Sequence, residues 1–565
     1  MSSWGPLMRK IIKSGEKIFK KFIIQRNICY HDFPLVNQNK KRKLSMGKIA
    51  EKALETCLIA KTDPYYPNSI SSLKINLLIV LLLTYLTVFI NVGRFEVSSG
   101  IDFYQYWGVG KAQEWSPATL KSPSAEQEKY AAVLNAYALR TADLHLVKAN
   151  EIRRKLQLNQ TPLCYSIFTF IPSNFSLAFG MFQIIQGILF LSAISILSAV
   201  YFGDWLRLLP FGLFLTFLYG PVVADSEVGN LNFLYLFGFA LLLLLSDRIL
   251  VKHPPRRPLG ASMLFMSILV FLALLKPSWA LVILLLAIYL RVAQGTSVFA
   301  SAAAVGLFSG AIFIVLPCIQ FHSWKVWQDW YHYLKTWDGA ILLARIPQGN
   351  YSPALLFSRV IGSSYLTGII FLGFLLTLSL FIALMMAKGK EESFCKGMAR
   401  AAIHSFADPH LVIAAGVTMT LLLSYFGWYH YYTLSLLPAV WLISPRHPWR
   451  WARTAGIVSL ILTANIITGT MRLCFGFTYL LTCASATIVQ GPMSALLSRV
   501  GLTTTTGLTN SGLAGLLGTL GLTANADVNL INGLITVIGL IPLWLGILTA
   551  IAASKKTGLR PSPLL

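Results

Sequence analysis

The chain has 565 residues, of which 55% are hydrophobic and only 12% charged; a water-soluble domain of this length needs about twice that charge to cover its surface. Mean hydropathy is +0.63, and the net charge of +25 sits mostly in short loops and tails, so it reads as membrane orientation and not as a nucleic-acid footprint. Seven scattered cysteines without a C-x-x-C pair imply neither a disulfide framework nor a metal site, and are expected to be packing residues.

In chain order, residues 1–72 form a lysine-rich leader with KKRK at 40–43 and no cleavable signal sequence, which its charge places in the cytoplasm. INLLIVLLLTYLTVFINV (75–92) follows, and FLYLFGFALLLLL (233–245) and GIIFLGFLLTLSLFIALMM (368–386) are runs of the same kind, near the roughly 20 apolar residues that cross a bilayer. In lipid a spanning backbone must pair its own polar groups, so these runs are helices and not barrel strands. The expected spans are 73–92, 174–201, 206–219, 229–246, 259–275, 277–291, 297–318, 364–387, 408–425, 430–444 and 454–471, with one more at 532–551. The fold class is an all-α polytopic membrane protein of about 11–13 transmembrane helices.

With these spans the basic loops 246–258, 388–400 and 445–453 all fall on the cytoplasmic side. The opposite side receives 93–173, 219–230, the Lys276-Pro277 junction, 319–363 and 426–431. Residues 472–565 form a C-terminal hydrophobic region containing a Gly/Thr-rich stretch, 500–530, and the side of the C-terminus stays open.

The scarce polar residues gather on that outer face. SSGIDFYQYWGVGKA (98–112) sets one carboxylate, Asp102, among Phe103, Tyr104, Tyr106 and Trp107; a helix cap is the plain alternative to a functional acid. Residues 125–156 space Tyr130, Val133, Leu134 and Tyr137 as one amphipathic helix, lying on the outer membrane surface or packing on the bundle. QTPLCYSIFTFIPSNF (160–175) is too short to span and dips into the outer leaflet or rests on the bundle. No expected span carries an acid in its apolar middle, which counts against an ion-coupled transporter. Asp225 and Glu227 have no third oxygen or histidine ligand close by in sequence, so they read as loop acids and no metal is expected.

Five segments taken in order carry a resemblance to a known family. They are Asp102-Phe103-x-x-Tyr106-Trp107, EVGNLNFLYL (227–236), the Lys276-Pro277 pair of LLKPSW (274–279), GNYSPALLFSR (349–359) and WYHYYTLSLLPAVWL (428–442). Together they resemble the GT-C membrane glycosyltransferases, and specifically glycosyltransferase family 87, with Asn230 and Tyr351 standing where that family has Gln. The resemblance implies a GT-C-like bundle over 73–471, with long extracytoplasmic loops at 93–173 and 319–363. It implies a multi-pass protein of the inner (plasma) membrane whose active site faces the extracytoplasmic side.

The implied activity is a hexosyltransferase that moves a mannose-like sugar from a polyprenyl-phosphate donor to a glycolipid or glycan acceptor, inverting the anomeric centre, with no cofactor. Asp102 is then the general base, and His430, Lys276 and Arg94 bind the donor phosphate. Tyr104, Tyr106, Asn230, Asn232, Asn350 and Trp428 are the substrate contacts. Each has a plain alternative: an interfacial histidine paired to backbone, a snorkelling lysine, a basic flank of the first span, an aromatic belt, asparagine caps. A flippase or transporter of lipid-linked sugars is the rival function.

Overall fold

The computed structural model describes residues 98–116, 120–154, 156–246, 258–336, 350–361, 364–387, 393–424, 427–445, 447, 449–464 and 533–553. The leader 1–72, the expected span 73–92, Arg94 and the stretch 500–530 lie outside the described residues. The described chain is nearly all helix, and its one extended pairing is a bridge between Asn350 and Trp428.

The segment after the expected first span folds into short helices: α1 (Ile101–Trp115), α2 (Gln127–Ala138), α3 (Leu144–Ile152) and α4 (Pro162–Ile167). The expected single helix over 125–156 is two, broken at 139–143. Asp143 caps α3 by accepting from the amides of His145 and Leu146, and a new N-cap ends whatever precedes it. Tyr130 and Leu134 are buried, and the Tyr130 hydroxyl donates to Gln113 Oε1 at 2.7 Å, so α2 packs on α1. Phe103 anchors α1 from beneath, its ring 4.9–5.8 Å from those of Phe168, Phe175, Phe179 and Phe182; contacts of this kind are worth about 0.5–1.5 kcal/mol each beyond burial.

The apolar helices follow. α5 (Phe175–Phe202) starts at the Asn174 cap, which accepts from the Leu177 amide. α6 (Leu209–Leu218) and α7 (Gly220–Val228) form a pair bent by 63°, because Pro221 in the first turn of α7 lacks the amide that would continue α6. α8 (Asn232–Leu245) lies along α5, and α9 (Pro258–Leu275) packs against α10 (Ala280–Gln320).

α10 is 41 residues long but is interrupted at Gly295 (φ 76, ψ 175). Before the break its contacts with α9 run antiparallel, from the Leu275–Ala280 junction to the ring pair Phe265–Tyr289. After it they run parallel, with Gly306 on Met266, Ser309 on Ser267 and Phe313 on Phe271. The chain therefore turns back at Gly295, whose positive φ suits glycine, and the helix counts as the two expected spans 277–291 and 297–318.

α11 (Val326–Lys335), α12 (Pro353–Ile361), α13 (Tyr365–Ala387), α14 (Phe394–Phe406) and α15 (Pro409–Leu423) come next. α16 (Leu436–Ile443), α17 (Arg450–Ala464) and α18 (Leu540–Ala553) complete the described chain. Among the described residues, and with α10 counted once, four helices are long and apolar enough to cross a membrane, or up to six if each bent pair is one span. On α13 the side chains of Leu366, Ile370, Phe374, Leu378, Ile382 and Met386 are all exposed. That spacing of four makes one apolar stripe along the whole helix, a surface suited to lipid.

Candidate functional site

Asp102 sits in the first turn of α1, but it is not the cap: Gly100 holds that position and no side chain caps the helix. The carboxylate, 14% exposed, reaches three other segments. Its Oδ2 accepts from Asn230 Nδ2 at 2.7 Å, Arg153 Nη2 lies 3.4 Å from Oδ1, and His430 Nε2 lies 3.9 Å from Oδ2.

Asn230 is placed by the end of α7. Gly229 turns the chain at φ 71, and a Cβ there would meet Phe103 Cβ at 2.7 Å, so only glycine lets the turn close over α1. The Asn230 amide then bridges two groups. Its Nδ2 donates to Asp102, while its Oδ1 accepts from Lys276 Nζ at 3.1 Å and from the Leu231 amide at 2.7 Å. Its own carbonyl accepts from Gln186 of α5. These bonds fix which end of the amide faces the acid.

Lys276 lies at the junction of α9 and α10 and is 2% exposed. Its ammonium stands 4.0 Å over the Tyr431 ring, a cation–π contact that partly replaces lost water. Burial pulls its pKa down to about 8, opposed by the charges of Asp102 and Asp225. It does not snorkel.

His430 belongs to a turn, Tyr429–Ser435, that is held from both sides. Asn232 Nδ2 donates to the His430 carbonyl at 3.2 Å. Asn350 Oδ1 accepts from the Gly427 amide at 2.9 Å, next to the Asn350–Trp428 bridge. The Trp428 and His430 rings are parallel, with centroids 6.5 Å apart. Although His430 is within ion-pair range of Asp102, burial drives its pKa down to about 3, so near neutral pH the imidazole is uncharged and its buried Nε2 has no hydrogen-bond partner among the described residues.

The structure thus brings Asp102, Asn230, Lys276 and His430 into one cluster, with Asn232 behind His430 and Asn350 and Trp428 in the neighbouring loop. Tyr104 and Tyr106 are each 1% exposed. The Tyr104 hydroxyl donates to Asn150 Oδ1 at 2.7 Å, and the Tyr106 ring packs on Phe168 at 5.1 Å. Burial, then the charge of Asp102, pushes the Tyr106 phenol well above its usual pKa. The Trp107 indole donates to the Pro172 carbonyl at 2.9 Å.

Two residues change role. Arg153, in the stretch 125–156 expected to form one amphipathic helix, lies just after α3 and turns inward to Asp102. Asp225, expected as a loop acid, lies within α7 at 0% exposure and accepts from Asn232 Nδ2 at 2.8 Å. α7 is half of a bent apolar pair, either a broken span or a re-entrant segment, so Asp225 sits within an apolar helix and not in a loop. The apolar Pro-Val-Val-Ala run before Asp225 was a local sign of burial; Arg153 offered none, since its partner is 51 residues away.

Chemically, the cluster presents one partly exposed carboxylate, one guanidinium beside it, a neutral imidazole facing it, and a buried ammonium behind an amide. Among the described residues no group of three His, Cys, Asp or Glu is arranged to hold a metal ion. No family profile, curated protein or solved structure matches this chain.

Proposed function

We propose that this chain is an integral membrane glycosyltransferase of the GT-C type, moving a mannose-like hexose from a polyprenyl-phosphate donor to an acceptor hydroxyl on a glycolipid or glycan, at the extracytoplasmic face of the plasma membrane. One observation carries the reading. Asp102, Asn230, Lys276 and His430 come from four of the five segments that resemble family 87, and they meet around a single carboxylate.

In this reading Asp102 takes the proton of the acceptor hydroxyl as its oxygen attacks the anomeric carbon. The bond from that carbon to the phosphate oxygen breaks, and its electron pair leaves with polyprenyl phosphate. Phosphate needs little protonation to depart, so one carboxylate suffices, and direct displacement inverts the centre. Asn230 orients the carboxylate, and the buried ammonium of Lys276 holds Asn230. Neutral His430 offers a hydrogen-bond donor or acceptor 3.9 Å away.

A flippase of lipid-linked sugars is the second reading, favoured by Asp225 buried within a bent helix pair, a feature of transport pathways. Transfer from radiolabelled polyprenyl-phosphate sugars, in membranes carrying the wild type or Asp102→Asn, separates the two. Transfer that collapses in the variant at equal protein level supports the enzyme. Equal transfer by both removes Asp102 from the mechanism. Donor crossing the bilayer intact, with no transfer from any sugar, favours the flippase.

A further inference from the structure

Three basic side chains surround Asp102, and their commitments differ. Lys276 is spent on Asn230 and on the Tyr431 ring, and it stands behind the amide with 2% exposure. His430 is neutral. Arg153 alone keeps a permanent charge at the rim, its side chain 20% exposed. Its contacts are long: 3.4 Å to Asp102 Oδ1 and 3.4 Å to Gln157 Oε1. A charge-assisted guanidinium–carboxylate bond ordinarily closes to about 2.7–2.9 Å. The buried Nε has no hydrogen-bond partner among the described residues.

The backbone around Arg153 is pinned on both sides. Tyr104 of α1 donates to Asn150 at 2.7 Å, and the Gln157 amide donates to Gln105 of α1 at 2.9 Å. The chain cannot carry Arg153 away from Asp102, so only the guanidinium is left to change partner. A phosphate offers it the paired oxygens that a side-on carboxylate at 3.4 Å does not.

We propose that Arg153 is the phosphate-binding residue of this site, and that it exchanges partners: in the free protein it latches Asp102, and on binding it turns to the phosphate of the lipid donor, releasing Asp102 Oδ1 towards the acceptor. The identity of the anion rests on the glycosyltransferase reading; the exchange rests on the geometry above. Lys276 and His430, expected to bind that phosphate, become positioning groups for Asn230 and for the turn carrying Trp428.

The test is equilibrium binding of undecaprenyl phosphate to the purified full-length chain in detergent, with undecaprenol and inorganic phosphate as separate arms. Arg153→Gln is expected to weaken undecaprenyl phosphate binding by about tenfold or more and Arg153→Lys by less, since an ammonium gives no fork. Asp102→Asn is expected to tighten it several-fold, because the competing carboxylate is gone. Undecaprenol should not distinguish wild type from Arg153→Gln, and inorganic phosphate should bind weakly with the same order of variants.

Equal binding of undecaprenyl phosphate by wild type and Arg153→Gln overturns the proposal. Asp102→Asn binding no tighter than wild type overturns the exchange. If inorganic phosphate matches the lipid, the site reads phosphate without lipid, which overturns the donor assignment. Sugar transfer is measured on the same preparations. A wild type that transfers sugar but binds no undecaprenyl phosphate sinks Arg153 alone, whereas one that does neither sinks the glycosyltransferase reading with it.

Discussion

Asp102 and Asp225 are acids of one type in one protein, and each accepts from an asparagine amide, at 2.7 Å and 2.8 Å respectively. What surrounds them differs. Asp102 has 14% of its side chain open, a guanidinium 3.4 Å away and an imidazole 3.9 Å away. Asp225 is wholly enclosed, its carboxylate bonded by Asn232 and by the Phe233 backbone, with Oδ2 unpartnered among the described residues. An acid at a rim beside a guanidinium and an imidazole is suited to exchanging protons and partners. An acid walled in by helices is suited to fixing a turn, because moving it would strand Asn232, which also holds the His430 carbonyl.

The sharpest way to break that contrast is to neutralise each acid. Asp102→Asn keeps the shape and is expected to lower sugar transfer by about 10²–10⁴-fold, the usual worth of a general base, while thermal unfolding in detergent moves little. Asp225→Ala should reverse the pattern. It leaves the Asn232 amide unpaired on one side and costs about 1–3 kcal/mol of stability, read as a lower unfolding midpoint, with transfer per folded molecule reduced far less than in Asp102→Asn. If Asp225→Ala loses activity without losing stability, the two acids share one function and the contrast fails.

Lys276 sharpens the comparison because it sits between the two acids. Burial lowers its pKa from 10.5 to about 8, so below about pH 8 the folded protein bears the cost of a buried ammonium. Between about pH 8 and 10.5 the unfolded chain binds more protons than the folded one, and stability contributed by this group rises with pH. Lys276→Met removes the charge and the cost. Its unfolding midpoint at pH 7 is expected to be no lower than wild type, and the gap between the two should move in favour of wild type as pH is raised through 8 to 10. Transfer should fall about tenfold, since Asn230 loses the partner that orients it. A flat pH dependence of the difference would mean the ammonium is better solvated than its position suggests.

How much of this was legible in the sequence depends on the range of the forces involved. Span positions 174–201, 259–275, 277–291 and 297–318 follow from local hydropathy, and the helices lie there. The Gly295 turn was readable as a break between two runs because glycine and polar residues punctuate apolar periodicity. The split between α2 and α3 was not, since Asp143 caps α3 within a stretch whose apolar spacing reads as one helix. Within the cluster, Asp102, Asn230, Lys276 and His430 were named from motif order. Arg153 and Asp225 were misplaced because their environment is tertiary: Arg153 meets α1 only through the fold of the 127–157 segment, and Asp225 is buried only once α7 packs on the turn 429–435.

The smallest expected effect separates Asp102 from its own neighbours. The same α1 motif that carries the acid carries Tyr104, which the family resemblance makes a substrate contact. Its ring is 1% exposed and its hydroxyl is spent on Asn150 of α3, which helps hold the backbone beneath Arg153. Tyr104→Phe keeps the ring and removes one buried hydrogen bond, leaving Asn150 Oδ1 without its donor. The expected cost is about 1–2 kcal/mol of stability, with the apparent KM for acceptor unchanged, because no substrate reaches the hydroxyl. A raised KM at unchanged stability would return Tyr104 to the binding surface and move the boundary of the functional end of α1 beyond Asp102. A lowered midpoint with unchanged KM would draw that boundary between residue 102 and residue 104, so that the first turn of α1 presents Asp102 to chemistry and commits the three residues after it to packing.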